Sequence, residues 1–424
     1  MEHTTDLQKM DNKKKLELYI HIPFCVKKCN YCDFLSMPAD ETLRRHYIHV
    51  LMEEIRERQP YFREYQISTI FFGGGTPSLL TGEQMEELMD TLKNNFVLDS
   101  DAEITVECNP GTLDKEKLLC YKDSSINRLS IGLQSACNRE LGILGRIHSF
   151  EEFLENYELS RKVGFENINL DLIFGLPNQK IKDWEYTLNQ VLTLYPEHIS
   201  AYGLMIEEGT PFYEKYDKDE LRREQGEQPK DLPEEETERE MYLQTKYMLE
   251  EKGYHRYEIS NYARSGKECR HNIGYWQRTP YLGLGLGSSS FWNGIRFSNP
   301  SNMKEYLKGN YIDFSHVLKK SSNLSLKNTD CVCREASQMS DPFIWVLDQQ
   351  QQMEEFMFLG LRMMEGISKK KFQNEFGVSM EEIYGEQLQK LQRQGLLTQE
   401  KEMLLLTEAG IAVSNYVLSE FLLS

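Results

Sequence analysis

The sequence has 424 residues and a formal net charge of −18, and a chain of this length can form two or three domains. Because phosphate contacts require a positive surface, the acidic balance argues against broad nucleic-acid binding, and we expect no nucleic-acid partner. No stretch approaches the roughly 18 uninterrupted apolar residues of a membrane helix, so we expect no integral membrane segment.

The amino-terminal residues 1–15 end in three lysines, and no apolar core with a cleavage site follows them. We expect this segment to be a flexible tail rather than a secretory signal. The chain contains nine cysteines, an odd number, which favours reduced thiols or metal ligands over a disulfide framework. Together these features predict a cytoplasmic protein.

Six short β-rich runs come next, separated by stretches of helical length. The runs lie at 18–22, 69–72, 103–107, 129–133, 167–174 and 198–204, and amphipathic stretches cover 82–96, 150–163 and 181–194. Such alternation is typical of a parallel sheet. We predict an α/β fold in which residues 16–214 form a partial (β/α)6 TIM-like barrel. The chemistry of such a barrel is expected at the carboxyl ends of its strands.

Four further segments follow the barrel. We predict a charged linker or insertion at 215–240, an α+β extension at 241–314, a polar connector at 315–352 and a small winged-helix-like helical domain at 353–424. In the last segment, helices at 354–364 and 381–394, a hairpin at 396–406 and a final helix are expected. Because these helices carry no basic stripe, a scaffold role is favoured over DNA reading. Cys331 and Cys333 in the connector have no spacing that compels a second metal site.

Three cysteines, Cys25, Cys29 and Cys32, stand at spacings of four and three residues directly after the first predicted strand. A loop of this length can bring three thiolates to one face of a metal cluster. A structural zinc ion normally takes four ligands, whereas three thiolates on a [4Fe–4S] cluster leave one iron open for a small molecule with amine and carboxylate arms. A zinc site completed from elsewhere and an accidental cysteine-rich loop are the alternatives.

The Cys-x-x-x-Cys-x-x-Cys spacing, with an aromatic residue before the third cysteine, resembles the radical S-adenosylmethionine (SAM) superfamily. The resemblance implies that the three cysteines hold a [4Fe–4S] cluster and that SAM binds its open iron. The glycine-rich run at 73–78 lacks the lysine of a P-loop and is similar to the superfamily motif that contacts the methionyl amine of SAM. By that resemblance Gly74, Gly75 and Thr76 make this contact.

Polar side chains recur at or after the ends of the third, fourth and fifth strands. Glu107 and Gln134 offer a carboxylate and an amide that can hydrogen-bond the amine and ribose of a nucleoside. Arg146 supplies a fork for a carboxylate, and Asp171 suits ribose hydroxyls. Each residue taken singly is more often a structural polar group, but their position on successive strands favours a shared site.

From about residue 18 to residue 211 the chain resembles the oxygen-independent coproporphyrinogen III oxidase group of radical SAM proteins. This resemblance implies roles around the cofactor for six residues. Tyr19 and Tyr31 flank SAM, Glu107 and Arg146 hold its methionyl part, and Gln134 and Asp171 reach its ribose.

Two sequence features distinguish the branches of this group. Phe34 stands where the oxidases commonly carry a further cysteine, and the string formed by His271, Asn272, Tyr275 and Trp276 is more typical of a sister branch that resembles heme chaperones. Both features favour the chaperone branch. A histidine beside aromatic residues can offer an axial imidazole to heme, so His271 is a candidate heme ligand. The alternative is a capped or core histidine that is hydrogen-bonded to the backbone.

The resemblance therefore implies a cytoplasmic heme chaperone with a SAM-binding [4Fe–4S] cluster and heme as cargo. The alternative is an enzyme that oxidatively decarboxylates coproporphyrinogen III to protoporphyrinogen IX, and another radical reaction on a tetrapyrrole is a third hypothesis. The implied partners are heme or a porphyrinogen, a low-potential electron donor and an apo-hemoprotein client. The protein is expected to be a monomer or a dimer, and no residue is assigned a catalytic role.

Overall fold

The computed structural model describes residues 14–324 and 343–423, and its centre is a sheet of twelve strands. Six of these strands are parallel neighbours in chain order. They are β1 (Lys14–Ile22), β2 (Tyr65–Gly74), β3 (Val97–Cys108), β4 (Arg128–Gln134), β5 (Ile168–Phe174) and β6 (His198–Gly203). Each strand overlaps one predicted run, so the expected partial (β/α)6 barrel is confirmed.

Helices connect each of these strands to the next. They are α1 (Glu41–Arg58), α2 (Gly82–Asn95), α3 (Lys115–Asp123), α4 (Asn138–Leu144), α5 (Phe150–Val163) and α6 (Ile181–Thr193). Thr81 and Ser149 begin α2 and α5 with capping boxes, in which side chains satisfy the first free N–H groups of the helix.

The side chains of β1 alternate between the helices and the barrel interior. Leu18, Ile20 and Ile22 are fully buried in the core that the helices share. Because successive residues of a strand point to opposite faces, Glu17 and Tyr19 point into the barrel. Polar residues on the inner face of the strands are thereby positioned for a site.

The sheet continues beyond the six barrel strands on both sides. On the β6 side, β8 (Asn261–Ala263) and β7 (His255–Arg256) add antiparallel strands. On the β1 side lie β9 (Tyr281–Leu284), which is parallel to β1, then β10 (Ser289–Trp292), β11 (Ile295–Ser298) and β12 (Ile344–Val346). Helix α9 (Arg270–Trp276) stands between β8 and β9 in the chain and packs against β2. Within the described ranges β7 and β12 do not pair, so the barrel is open.

Two segment predictions need correction. Lys14 and Lys15 belong to β1 rather than to a tail, and residues 1–13 lie outside the described residues. The predicted linker at 215–240 is mostly helical, since it carries the end of α7 (Pro211–Glu224) and the start of α8 (Glu235–Glu251). Some of its charged side chains bind other groups of the same segment. Asp219 accepts backbone N–H groups of the following turn, and Arg223 pairs with Glu238 at 3.0 Å.

The described parts of the polar connector contain helix and strand that were not predicted. After α10 (Met303–Leu307), α11 (Phe314–Leu324) covers its beginning, and β12 and the start of α12 (Gln349–Gly360) cover its end. Cys331 and Cys333 lie outside the described residues.

The carboxyl-terminal unit is a three-stranded antiparallel sheet with helices around it. Its further elements are β13 (Ile367–Ser368), α13 (Lys369–Phe376), α14 (Met380–Arg393), β14 (Leu397–Glu400), β15 (Met403–Leu406), α15 (Glu408–Ala412) and α16 (Ser414–Ser419). The helix α13 was not predicted, because Phe372 is its one fully buried residue beside three lysines. In the described part of the chain, no helix is long and apolar enough to cross a membrane.

Candidate cofactor site

The cysteine loop leaves β1 at the carboxyl end of the sheet and is held at its base by backbone contacts. Phe24 forms a bridge with Met37, and the Cys25 N–H donates to the Met37 carbonyl at 3.0 Å. Within the loop the Cys32 N–H donates to the Cys29 carbonyl. The three cysteines are each partly exposed, so the loop presents its thiols at the surface of the barrel mouth.

Two of the thiols are joined by a chain of polar side chains, two of which follow strands β2 and β3 and one of which follows helix α4. Thr76 donates its hydroxyl to the Cys25 Sγ at 3.6 Å, and Arg146 reaches the Cys29 Sγ at 3.7 Å. Between them, Asn109 donates to the Thr76 hydroxyl and accepts from Arg146, each at 2.8 Å. Asn109 was not predicted as a site residue, although it directly follows β3, two positions after Glu107, where a polar residue is a signal.

The thiols differ in their surroundings. Burial raises the pKa of the Cys32 thiol, and the neighbouring Cys29 and Cys25 raise it further while Lys28 opposes them. Among the described residues, no three His, Cys, Asp or Glu side chains lie close enough to hold one metal ion. Three cysteine thiolates are the donor type that holds iron–sulfur clusters, so the chemistry of the donor set fits a [4Fe–4S] group.

The glycine turn after β2 lies directly against the base of the cysteine loop. A Cβ atom on Gly75 would lie 2.7 Å from the carbonyl oxygen and 2.8 Å from the nitrogen of Phe24. A Cβ on Gly74 would lie 2.4 Å from the His21 ring, and its φ of +109° favours glycine. The Gly74 N–H donates to Glu107 at 3.1 Å. Side chains at these positions would displace the loop that carries the thiols.

His21 supports this turn in a defined tautomer. Its Nε2 lies 2.9 Å from the Leu35 carbonyl, which only accepts, so Nε2 carries the proton. Its Nδ1 then accepts the Tyr19 hydroxyl at 2.9 Å. The structure therefore places Tyr19 beneath the glycine turn, where a Cβ on Gly73 would lie 3.1 Å from its ring.

Two carboxyl groups face each other in the barrel mouth. Burial raises the pKa of Glu107 to about 8, repulsion from Asp171 adds to this, and the Gly74 N–H opposes it. Burial also raises the pKa of Asp171, against hydrogen bonds from Ser130 at 2.9 Å and Asn169 at 2.8 Å. A cationic amine bound between these groups would favour their ionised forms. The pair therefore suits a ligand that carries an amine and hydroxyl groups.

The remaining predicted residues also lie near the mouth. Gln134 has a φ of +71° where the pairing of β4 with β5 shifts register, and its amide nitrogen would lie 3.0 Å from a Cβ on Gly132. Such backbone in a non-glycine residue is uncommon and clusters at functional sites. Tyr31 packs against Phe212 at 6.5 Å between ring centroids, and burial raises its pKa while Arg146 opposes this.

Unlike the other predicted site residues, His271 does not lie near the mouth of the barrel. It is 1% exposed, its Nδ1 lies 2.6 Å from the Thr69 hydroxyl, and its Nε2 lies 3.0 Å from the Tyr275 hydroxyl. Its backbone N–H donates to Glu103, which lies four residues before Glu107 on β3, roughly 13 Å lower on the strand. Because both ring nitrogens are engaged, the arrangement offers no nitrogen to a heme iron. His271 is a core histidine, but its ring is bonded to side-chain hydroxyls rather than to the backbone groups that the alternative expected.

Two family models match the chain, one in the barrel and one in the carboxyl-terminal unit. The radical SAM superfamily model covers residues 19–191, which contain the cysteine loop, the glycine turn and the strand-end polar groups. The HemN C-terminal domain model covers residues 347–413, which contain the three-stranded unit.

Curated relatives are similar over nearly the full length. Heme chaperone HemW of Bacillus subtilis (strain 168) is 36% identical over 410 residues, which is 95% of this chain and 98% of that protein. Heme chaperone HemW of Escherichia coli (strain K12) is 33% identical over 418 residues, 96% and 98% of the two chains. The solved structure of coproporphyrinogen III oxidase (HemN) from Escherichia coli aligns with a TM-score of 0.76 at 21% identity, over 99% of this chain and 93% of that one, and shows a shared fold. This chain belongs to the HemW family of radical SAM proteins.

Proposed function

We propose that this protein is a cytoplasmic heme chaperone that binds heme and transfers it to an apo-hemoprotein. The observation that carries the proposal is the similarity to curated heme chaperones at 33–36% identity across both the barrel and the carboxyl-terminal unit. A relative that shared only the barrel would support the cofactor chemistry alone. Similarity over the whole chain supports a shared activity.

The cofactor part of the proposal assigns a [4Fe–4S] cluster to Cys25, Cys29 and Cys32. SAM would then lie between the glycine turn and the strand ends, with Glu107 toward its amine and Asp171 toward its ribose. When reduced, such a cluster can pass one electron to the sulfonium of SAM. The residues of this chain hold and orient the cofactor, and the polar chain through Asn109 fixes Thr76 and Arg146 beside the thiols.

The partners follow from this chemistry. A cluster of this kind needs a low-potential electron donor, and a carrier of heme needs an apo-hemoprotein client. A reducing compartment agrees with the thiols, since the described cysteines are all free. We propose a monomer or dimer in the cytoplasm.

Coproporphyrinogen oxidation is the competing function and is not favoured. The oxidase structure shares the fold at 21% identity, and a fold alone does not carry an activity. Phe34, which stands where oxidases commonly have a further cysteine, is 65% exposed at the rim of the cysteine loop.

A paired anaerobic assay on reconstituted protein tests the proposal. One sample receives coproporphyrinogen III, a reductant and SAM, and the other is titrated with heme and then mixed with an apo-hemoprotein. We expect stoichiometric heme binding, transfer to the apoprotein and no protoporphyrinogen. Conversion of coproporphyrinogen would identify an oxidase, and the absence of heme binding would refute the chaperone.

A further inference from the structure

A cleft separates the end of α9 from the carboxyl-terminal unit, on the far side of the barrel from the cysteine loop. Its volume is about 260 Å³. Its walls include Trp276 from α9, Phe356 and Gly360 from α12, and Ile367 and Met403 from the three-stranded sheet. The cofactor site uses none of these residues.

The cleft combines aromatic walls with thioether sulfur. Trp276 and Phe356 provide flat apolar surface, and Arg362 lies 4.6 Å above the Trp276 ring centroid, which fixes the indole in place. Met363 is buried at the floor with 5% exposure, whereas Met403 is only partly buried. Because methionine is flexible and its sulfur is a soft ligand, Met403 can move toward a metal centre without a change of backbone.

The rim of the cleft carries an exposed lysine and an exposed glutamate. Lys371 is exposed, its ammonium lies 6.0 Å from the Phe356 ring centroid, and among the residues that the structure describes no carboxylate is within ion-pair distance of it. The neighbouring Lys370 is exposed as well. Glu365, on the same rim, is bound by Gln277 at 3.3 Å. Arg278 lines the cleft but is occupied by Glu375 at 2.6 Å.

These features match the surface of heme. A heme has an apolar macrocycle, an iron that accepts thioether ligands and two anionic propionates. The cleft offers an aromatic wall, the Met403 sulfur and the Lys371 ammonium in one place. By contrast, the imidazole of His271, at the other end of the same motif helix, is closed by Thr69 and Tyr275.

We propose that the cargo heme binds with one edge in this cleft, with the Met403 sulfur as an axial ligand of the iron and Lys371 paired with a propionate. The inference rests on the proposed function and names its cargo site. The cleft is slightly smaller than the roughly 300–1,000 Å³ of sites that enclose a drug-sized ligand, so part of the macrocycle remains outside. An exposed edge is what a client protein needs to take the heme.

The test is a titration of the anaerobically reconstituted full-length protein with ferrous and ferric heme, followed by absorption spectroscopy. We expect Met403→Leu, a substitution that conserves volume, to weaken ferrous heme binding at least about ten-fold and to remove the spectral signature of thioether ligation. Lys371→Glu should weaken binding several-fold, with a smaller effect at high salt. The matched control is Met205→Leu, because Met205 is 68% exposed at the barrel mouth and should leave binding unchanged.

The outcomes separate this inference from the proposed function. If the wild-type protein binds no heme, the proposed function fails. If the wild type binds heme and both cleft variants bind it equally well with an unaltered spectrum, the cargo site lies elsewhere and only the inference fails. A loss confined to His271→Gln, in a variant with an unchanged thermal melt, would place the iron at His271 and also overturn the cleft.

Discussion

Polar groups at the mouth and at the floor of the barrel have different surroundings. At the floor, Glu17 and Glu103 close around α9, where Glu103 accepts the N–H groups of Arg270 and His271 and every hydrogen-bonding nitrogen of the His271 ring is used. At the mouth, three thiols are partly exposed and two carboxyl groups share a raised pKa. Burial of a titratable group therefore does not identify function here, since burial raises the pKa of Glu17 at the floor as well as that of Glu107 at the mouth. The partly exposed thiols are what distinguish the mouth.

The largest effect is expected at the mouth from Cys29→Ala. Removing one of three cluster ligands should abolish the cluster, because the chain supplies no replacement thiolate in the same loop. Iron and sulfide analysis and the visible absorbance of the reconstituted protein provide the measurement. Cys120→Ala, at a thiol that contacts the Gly82 carbonyl instead, should keep a full cluster. A full cluster in Cys29→Ala would contradict the assignment.

Gly75→Ala is expected to have the next largest effect. The new methyl group would meet backbone atoms of Phe24 and Ile22 at 2.7–2.9 Å, and backbone cannot yield as a flexible side chain can. We expect SAM affinity to fall by about 100-fold, roughly 2.7 kcal/mol, in a calorimetric titration. Gly142→Ala on α4 is the control, since nothing lies within 4 Å of its added Cβ. Equal SAM affinity in the two variants would show that the turn is not part of the site.

Asp171→Asn should weaken SAM binding by about ten-fold without loss of iron. The amide has one acceptor fewer than the carboxylate, and Ser130 and Asn169 already donate to the two oxygens of Asp171. SAM titration and iron content are measured on the same sample. Loss of iron together with SAM affinity would indicate a structural defect rather than a cofactor contact.

At the floor, Glu17→Gln is expected to alter the pH dependence of stability rather than cofactor binding. Burial, with repulsion from Glu103, raises the pKa of Glu17 to about 9, above its ordinary value of 4.5. Between these values the folded state holds a proton that the unfolded state has released, so stability falls as pH rises, by at most about 1.4 kcal/mol per pH unit. Glutamine cannot titrate, so the variant should lose less stability between pH 6 and pH 9 than the wild type.

Urea denaturation midpoints at both pH values measure this difference. Glu64→Gln, at an exposed carboxylate, should follow the wild-type profile. If the stability of Glu17→Gln also changes with pH as that of the wild type does, the Glu17 carboxyl group is ionised in the folded state. Its raised pKa at the floor would then be wrong.

Local patterns predicted the barrel strands, the cysteine loop and the glycine turn, because each is encoded within a few residues. The alternation of apolar residues in β1 and the cysteine spacing after it are of this kind. Asn109 was missed because its role depends on Thr76 and Arg146, which are 33 and 37 residues away along the chain. A single sequence does not contain that geometry.

The predictions for His271 and for segment 215–240 differ from the structure for the same reason, because the contacts that decide them come from distant parts of the chain. His271 has the residue type and the neighbours of a heme ligand. In the fold, however, Thr69 on β2 hydrogen-bonds its ring and Glu103 on β3 accepts its backbone N–H. The segment 215–240 has the composition of a linker, but Asp219 and Arg223 find partners only after the chain turns back on itself. A charged composition predicts exposed side chains, but tertiary contacts can pair such charges within the fold.

The position of β1 in the sheet has a consequence for synthesis of the protein. β1 pairs with β2 on one side and with β9, which begins at Tyr281, on the other. At about 5–20 residues per second, a ribosome needs on the order of tens of seconds to produce that second neighbour. During this interval one edge of β1 is unpaired, while the cysteine loop that follows it has already emerged. Iron delivery to the nascent chain can therefore precede closure of the sheet beside it.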